Sequence, residues 1–162
     1  MIVPFDSLPD DSRIWIFPSN RILESHEEEM LLKSTLVFLD EWTAHNRSLT
    51  ASAKVEDHTF LVVAVDESVT GASGCSIDKL HRFVREAESQ LGVRLMERLN
   101  VILPGNPLSI VHSSQIPSLI AAGELDSASL VYDTTSAHLG QFRQQFRVPM
   151  KETWLSRYLK EA

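Results

Sequence analysis

The residue with most chemistry at stake is a lone cysteine in a glycine- and serine-rich run, Gly71-Ala72-Ser73-Gly74-Cys75-Ser76. Ile77, Leu80, Val84, Ala87 and Leu91 then recur at three- and four-residue steps as far as Gly92, the spacing of an amphipathic helix with a glycine stop. Cys75 therefore belongs to a first helical turn. Free backbone N–H groups and the helix dipole favour anions there and stabilise a thiolate. Three readings follow. In the first, Cys75 is a thiolate nucleophile helped by Ser73 and Ser76, with Asp66 or His45 orienting it or moving a proton. In the second, the loop binds an anionic ligand through Gly71, Ser73, Gly74 and Ser76, with Arg21 from the loop after the first strand as counter-charge. In the third, Ser76 or Asp78 merely caps the helix and Cys75 is a small buried hydrophobe.

Other motifs are excluded by their chemistry. A P-loop requires GxxxxGK[ST], whose lysine reaches the phosphates, and no lysine occupies that place after Gly71. The run also fails the GxSxG pattern of a nucleophile elbow. His26, His45, His58, His81, His112 and His138 show no metal-ligand spacing, and a single cysteine removes any multi-cysteine site, so neither metal nor cofactor is expected. His81, one turn after Ile77, reads as a solvated-face residue more readily than as a general base. Trp15, Phe17 and Phe60 raise the question of base stacking, but the RNP1 pattern is missing from Thr59 to Asp66 and core packing is the simpler role.

The formal charge of -7 is concentrated in one part of the chain: residues 1–66 carry 12 acids and 5 bases, and residues 67–162 carry 10 of each. An acidic surface repels phosphate backbones and anionic lipid, so nucleic acid is not an expected partner. No apolar run reaches the roughly 18 residues of a membrane span, so no membrane insertion is expected. The N-terminal stretch lacks a basic and then apolar signal pattern, and one cysteine cannot form an internal disulfide, which together point to the cytoplasm.

The elements that would hold the loop follow from pattern. Arg13 to Phe17 reads as a strand, and Ser25-His26-Glu27-Glu28 has capping-box spacing at the start of a helix expected to end near His45-Asn46. Leu49 to Glu56 and Thr59 to Asp66 read as a hairpin about Asp57-His58, with the apolar run Phe60 to Val65 central and buried on both faces. After the helix to Gly92, Asn100 to Leu103 reads as another strand. The order βαββαβ implies an α+β protein, a ferredoxin-like sheet over residues 1–104 with two helices on one face. In that arrangement the first and third strands are expected as central, parallel neighbours, which would bring the Ser19-Asn20-Arg21 and Gly71–Asp78 loops together. Residues 105–162 read as a C-terminal β/α extension packed on the sheet as part of one compact unit. Its strands are expected at 108–112 and 130–133, a short helix near 117–122, and a final helix that buries Trp154.

Nearly end to end, the chain resembles a family of short bacterial proteins that often carry the label "ABC transporter ATPase". The resemblance rests on Val3-Pro4-Phe5-Asp6, Ser12-Arg13-Ile14-Trp15-Ile16, Trp42-Thr43-Ala44-His45, Gly71 to Asp78, Arg98-Leu99-Asn100-Val101 and Trp154-Leu155-Ser156-Arg157. The label would imply ATP hydrolysis, but the nucleotide-binding motifs such an enzyme needs are missing from this sequence. A second resemblance is local: the helix, Gly123, Leu125 and strand order of residues 116–132 is similar to small GYF-like peptide-binding modules. The expected function is a binding module for an unknown protein or a small anionic ligand at the Gly71–Asp78 loop. An enzyme using Cys75 is the alternative, and a homodimer is compatible with either.

Overall fold

A computed structural model describes residues 1–160. In chain order the elements are β1 (Arg13–Pro18), α1 (Ser25–Asp40), β2 (Thr43–Ala44), β3 (Arg47–Ser48), β4 (Thr50–Glu56), β5 (Phe60–Asp66), α2 (Gly74–Leu91) and β6 (Asn100–Leu103). There follow β7 (Ser109–His112), α3 (Ile116–Ala121), β8 (Leu130–Tyr132), α4 (Leu139–Gln145), β9 (Arg147–Pro149) and α5 (Ser156–Leu159). Helices and small antiparallel sheets are mixed along the chain, as in an α+β protein. No helix among the described residues is long and apolar enough to cross a membrane.

The chain divides into two compact units, residues 1–97 with 135–143 and residues 98–134 with 144–162. The first is built on a three-stranded sheet of order β1-β5-β4. Phe60 to Val65 of β5 are all buried, as their unbroken apolar run requires of a central strand. Both neighbours run antiparallel to β5, with Arg13 opposite Val65, Pro18 opposite Phe60 and Glu56 also opposite Phe60. The hairpin turn at Asp57-His58 has positive φ at both residues, 48° and 56°, a conformation that Asp and His tolerate better than most side chains.

Two expectations are corrected here. The first and third strands are neighbours, but antiparallel: α1 carries the chain back along the sheet, so β4 starts at the same end as β1, and a hairpin partner inserted between them must oppose both. The expected fourth strand, Asn100–Leu103, leaves this sheet and pairs with β7 in the second unit. The four-stranded ferredoxin-like sheet over residues 1–104 is thus replaced by three strands. The outer edge of β1 is met instead by a single bridge from Arg13 to His138, with the Ile14 N–H donating to the carbonyl of Ala137 at 3.0 Å. That edge contact is fixed by Gly140, where a Cβ would stand 2.9 Å from the Cβ of Asp10. Arg143 completes it, donating to the Leu8 carbonyl at 2.9 Å and to Asp10 Oδ1 at 2.7 Å.

Both long helices lie on one face of the sheet. Leu31 and Leu39 of α1 and Leu80, Val84 and Ala87 of α2 are buried in one cluster with Phe17, Leu61, Val63 and Val65. Helix α1 starts one residue earlier than its capping pattern suggested: Glu24 is the N-cap, and its N–H donates to Glu27 Oε1 at 3.0 Å. It also stops earlier, at Asp40. His45 and Asn46, expected as the helix end, form the two-residue turn of the β2–β3 hairpin with φ of 51° and 63°. Helix α2 runs as the periodicity predicts and ends at Gly92, whose φ of 63° suits a residue without a Cβ.

The second unit has its own buried cluster of Val101, Ile116, Leu125, Val131, Met150 and Leu155, with β6 paired to β7 and β8 to β9. Trp154 departs from expectation. It is 39% exposed, packs edge-on to Tyr158 at 6.2 Å and lies under the Arg157 guanidinium at 5.3 Å. It lies in the turn before α5, a helix of only four residues, and so belongs to no apolar helical stripe that would turn it inward.

Leu80 is fully buried, whereas Val37 of α1 is 61% exposed. Leu80→Ala should therefore lower the unfolding free energy by about 2–5 kcal/mol in urea titrations, and Val37→Ala by less than about 0.5 kcal/mol.

Candidate functional site

The first turn of α2 is built by two serines. Ser73 is the N-cap: the Ser76 N–H donates to its Oγ at 3.2 Å, and the Ser73 N–H donates to Ser76 Oγ at 2.6 Å. The Ser76 hydroxyl also donates to the Ser73 carbonyl at 2.8 Å, and Trp42 Nε1–H donates to the Ser76 carbonyl at 2.8 Å. Both hydroxyls are thus spent on the helix start and neither serves Cys75. The cap is Ser73, in place of the expected Ser76 or Asp78. Cys75 itself is exposed, which removes the reading of a buried hydrophobe. Its side chain has no hydrogen bond among the described residues, and neither Asp66 nor His45 is bonded to it. At Gly74 a Cβ would meet nothing within 4 Å, so this face of the turn is open.

The loop before the helix is held by an internal carboxylate. Glu67 Oε1 accepts the Ala72 N–H at 2.9 Å, stands 3.5 Å from where a Gly71 Cβ would be, and lies 3.9 Å from Arg13 Nη1. Asp66 Oδ1 accepts the Ser68 N–H at 2.9 Å. The cation at this loop is therefore Arg13, delivered by the antiparallel alignment of β1 and β5.

Arg21 is elsewhere. Its guanidinium grips Glu27 through two hydrogen bonds of 2.7 and 2.6 Å, and Nη2 also reaches the Leu91 carbonyl at 3.3 Å. Asn20 exchanges hydrogen bonds with Arg94, donating to its carbonyl at 2.9 Å and accepting its N–H at 2.8 Å. The Ser19-Asn20-Arg21 loop thus meets the carboxyl end of α2. Gly71, Ser73, Gly74, Cys75 and Ser76 gather at its amino end, roughly 25 Å away at ~1.5 Å per residue. The expected pairing of these two loops is corrected, because it depended on parallel strands. The Arg21 hydrogen bonds, helped by the Glu24 N–H, hold the Glu27 carboxyl below its ordinary value, at about 2, and the bond to Glu27 raises Arg21.

A feature the periodicity did not single out lies between the helices. Met30 and Val37 sit one position before the buried Leu31 and the half-buried Phe38, and they are 55% and 61% exposed. With Leu31, Ala87 and Leu91 they line an apolar groove of about 390 Å³, to which Lys33, Ser34 and Gln90 add the polar groups. The signal was present in the sequence: α1 is apolar over more of its circumference than one sheet face can cover. Among the described residues, no group of three or more His, Cys, Asp or Glu side chains is placed to hold a metal ion.

Comparisons with protein-family models, curated proteins and solved structures give no match.

Two measurements follow from this geometry. A carboxylate whose pKa is depressed on folding stabilises the fold above its unfolded value, and that contribution fades as pH falls through the folded one. Stability from the Arg21–Glu27 pair should accordingly be complete above about pH 4.5 and decline towards about pH 2. Glu27→Gln should be less stable at neutral pH and should lose less between those limits in acid titrations followed by circular dichroism. Iodoacetamide should label Cys75 as completely in native protein as in denaturant; protection in the native state would contradict the exposed first turn.

Proposed function

We propose that this protein is a cytoplasmic binding module for a protein partner, and that the partner seats on the groove between α1 and α2 instead of the Gly71–Asp78 loop. The observation that carries this reading is the pair of half-exposed aliphatic side chains, Met30 and Val37, flanking a continuous apolar groove. Fully burying a side chain of this kind is worth about 1.5–3 kcal/mol, so water contact here is a standing cost that an occupant would relieve. The groove is a trough whose α1 shoulders, Met30 and Val37, are themselves more than half solvated. A small molecule lying in it would keep one side wet, whereas pockets built for such ligands enclose most of their surface. Two residues cannot supply a stable complex, because association costs at least about 4 kcal/mol in lost freedom. The partner must extend along the helices.

A second reading keeps the Gly71–Asp78 loop as a site for a small anion or, through Cys75, for thiol chemistry. The open face at Gly74 and the exposed thiol favour it. Asp66, Glu67 and Asp78 oppose it, and the serines expected to assist Cys75 are bonded to each other. Nucleotide hydrolysis belongs to neither reading, for want of the phosphate-binding lysine.

A helical peptide library displayed on phage, selected against the intact protein, tests the first reading. Selected peptides should shift the backbone resonances of residues 30–37 and 87–91, and Met30→Asp/Val37→Asp should lose them at least about 100-fold while melting within about 2 °C of the parent, as expected for exposed positions. Peptides that mapped to residues 71–78 and survived the double substitution would return the site to the loop.

A further inference from the structure

We draw no further inference here: the strongest candidate, the surface patch of the second unit where the Arg157 guanidinium lies over the rings of Trp154 and Tyr158, is a half-exposed aromatic face, and nothing in the structure shows what covers it.

Discussion

A single strand buried on both faces constrains the first unit. Phe60 to Val65 expose almost nothing, so β5 must have a strand on each edge and a layer on each side before its backbone and side chains are satisfied. β1 and β4 supply the edges, and α1 and α2 cover the face that carries Leu61, Val63 and Val65. The positions of both candidate sites are downstream of that choice. The direction of β5 relative to β1 decides that the start of α2 lies near Arg13 and its end near Arg21. The packing of two helices side by side leaves a groove along their outer seam.

The Arg21–Glu27 pair ties the start of α1 to the end of α2. Helix α1 begins, and α2 ends, beside the polar Ser19-Asn20-Arg21 loop, with Leu23, Val93 and Leu95 buried in the core on either side of it. Glu27 is nearly buried while Arg21 stays partly solvated, so the pair's strength lies in its two-pronged geometry and the extra bond to the Leu91 carbonyl more than in bare attraction. Leu91 lines the groove. The guanidinium thus touches the seam between the helices at one end, and the rings of Phe38 and Phe83 stack across it 4.7 Å apart.

Elements with strong local signals were legible in the sequence: the periodicity from Ile77 to Gly92, the apolar run of β5 and the turn at Asp57-His58 all fall where they were expected. Strand direction was misread although the element order fixes it, since a hairpin partner inserted between β1 and β4, which run the same way, must oppose both. That misreading misplaced Arg21 and put it beside Cys75. Asn100–Leu103 was found as a strand but given the wrong partner, since β-branched residues suit any sheet. The groove was missed for a different reason. Met30 and Val37 were not singled out, and only packing shows which portion of a broadly apolar helix a sheet leaves uncovered.

The segment 135–143 belongs to the first unit although residues on both sides of it belong to the second. The chain therefore passes between the units three times, and no single cut separates them. A fragment ending at residue 97 would retain β1 but lack the strip whose Ala137 carbonyl and Gly140 turn lie against its outer side, leaving an unpaired strand edge of the kind that recruits other chains. On the ribosome the same order means that the first unit stays incomplete until the polypeptide has been made past Arg143, by which time most of the second has also emerged. The two are separate in their cores but interleaved in their synthesis.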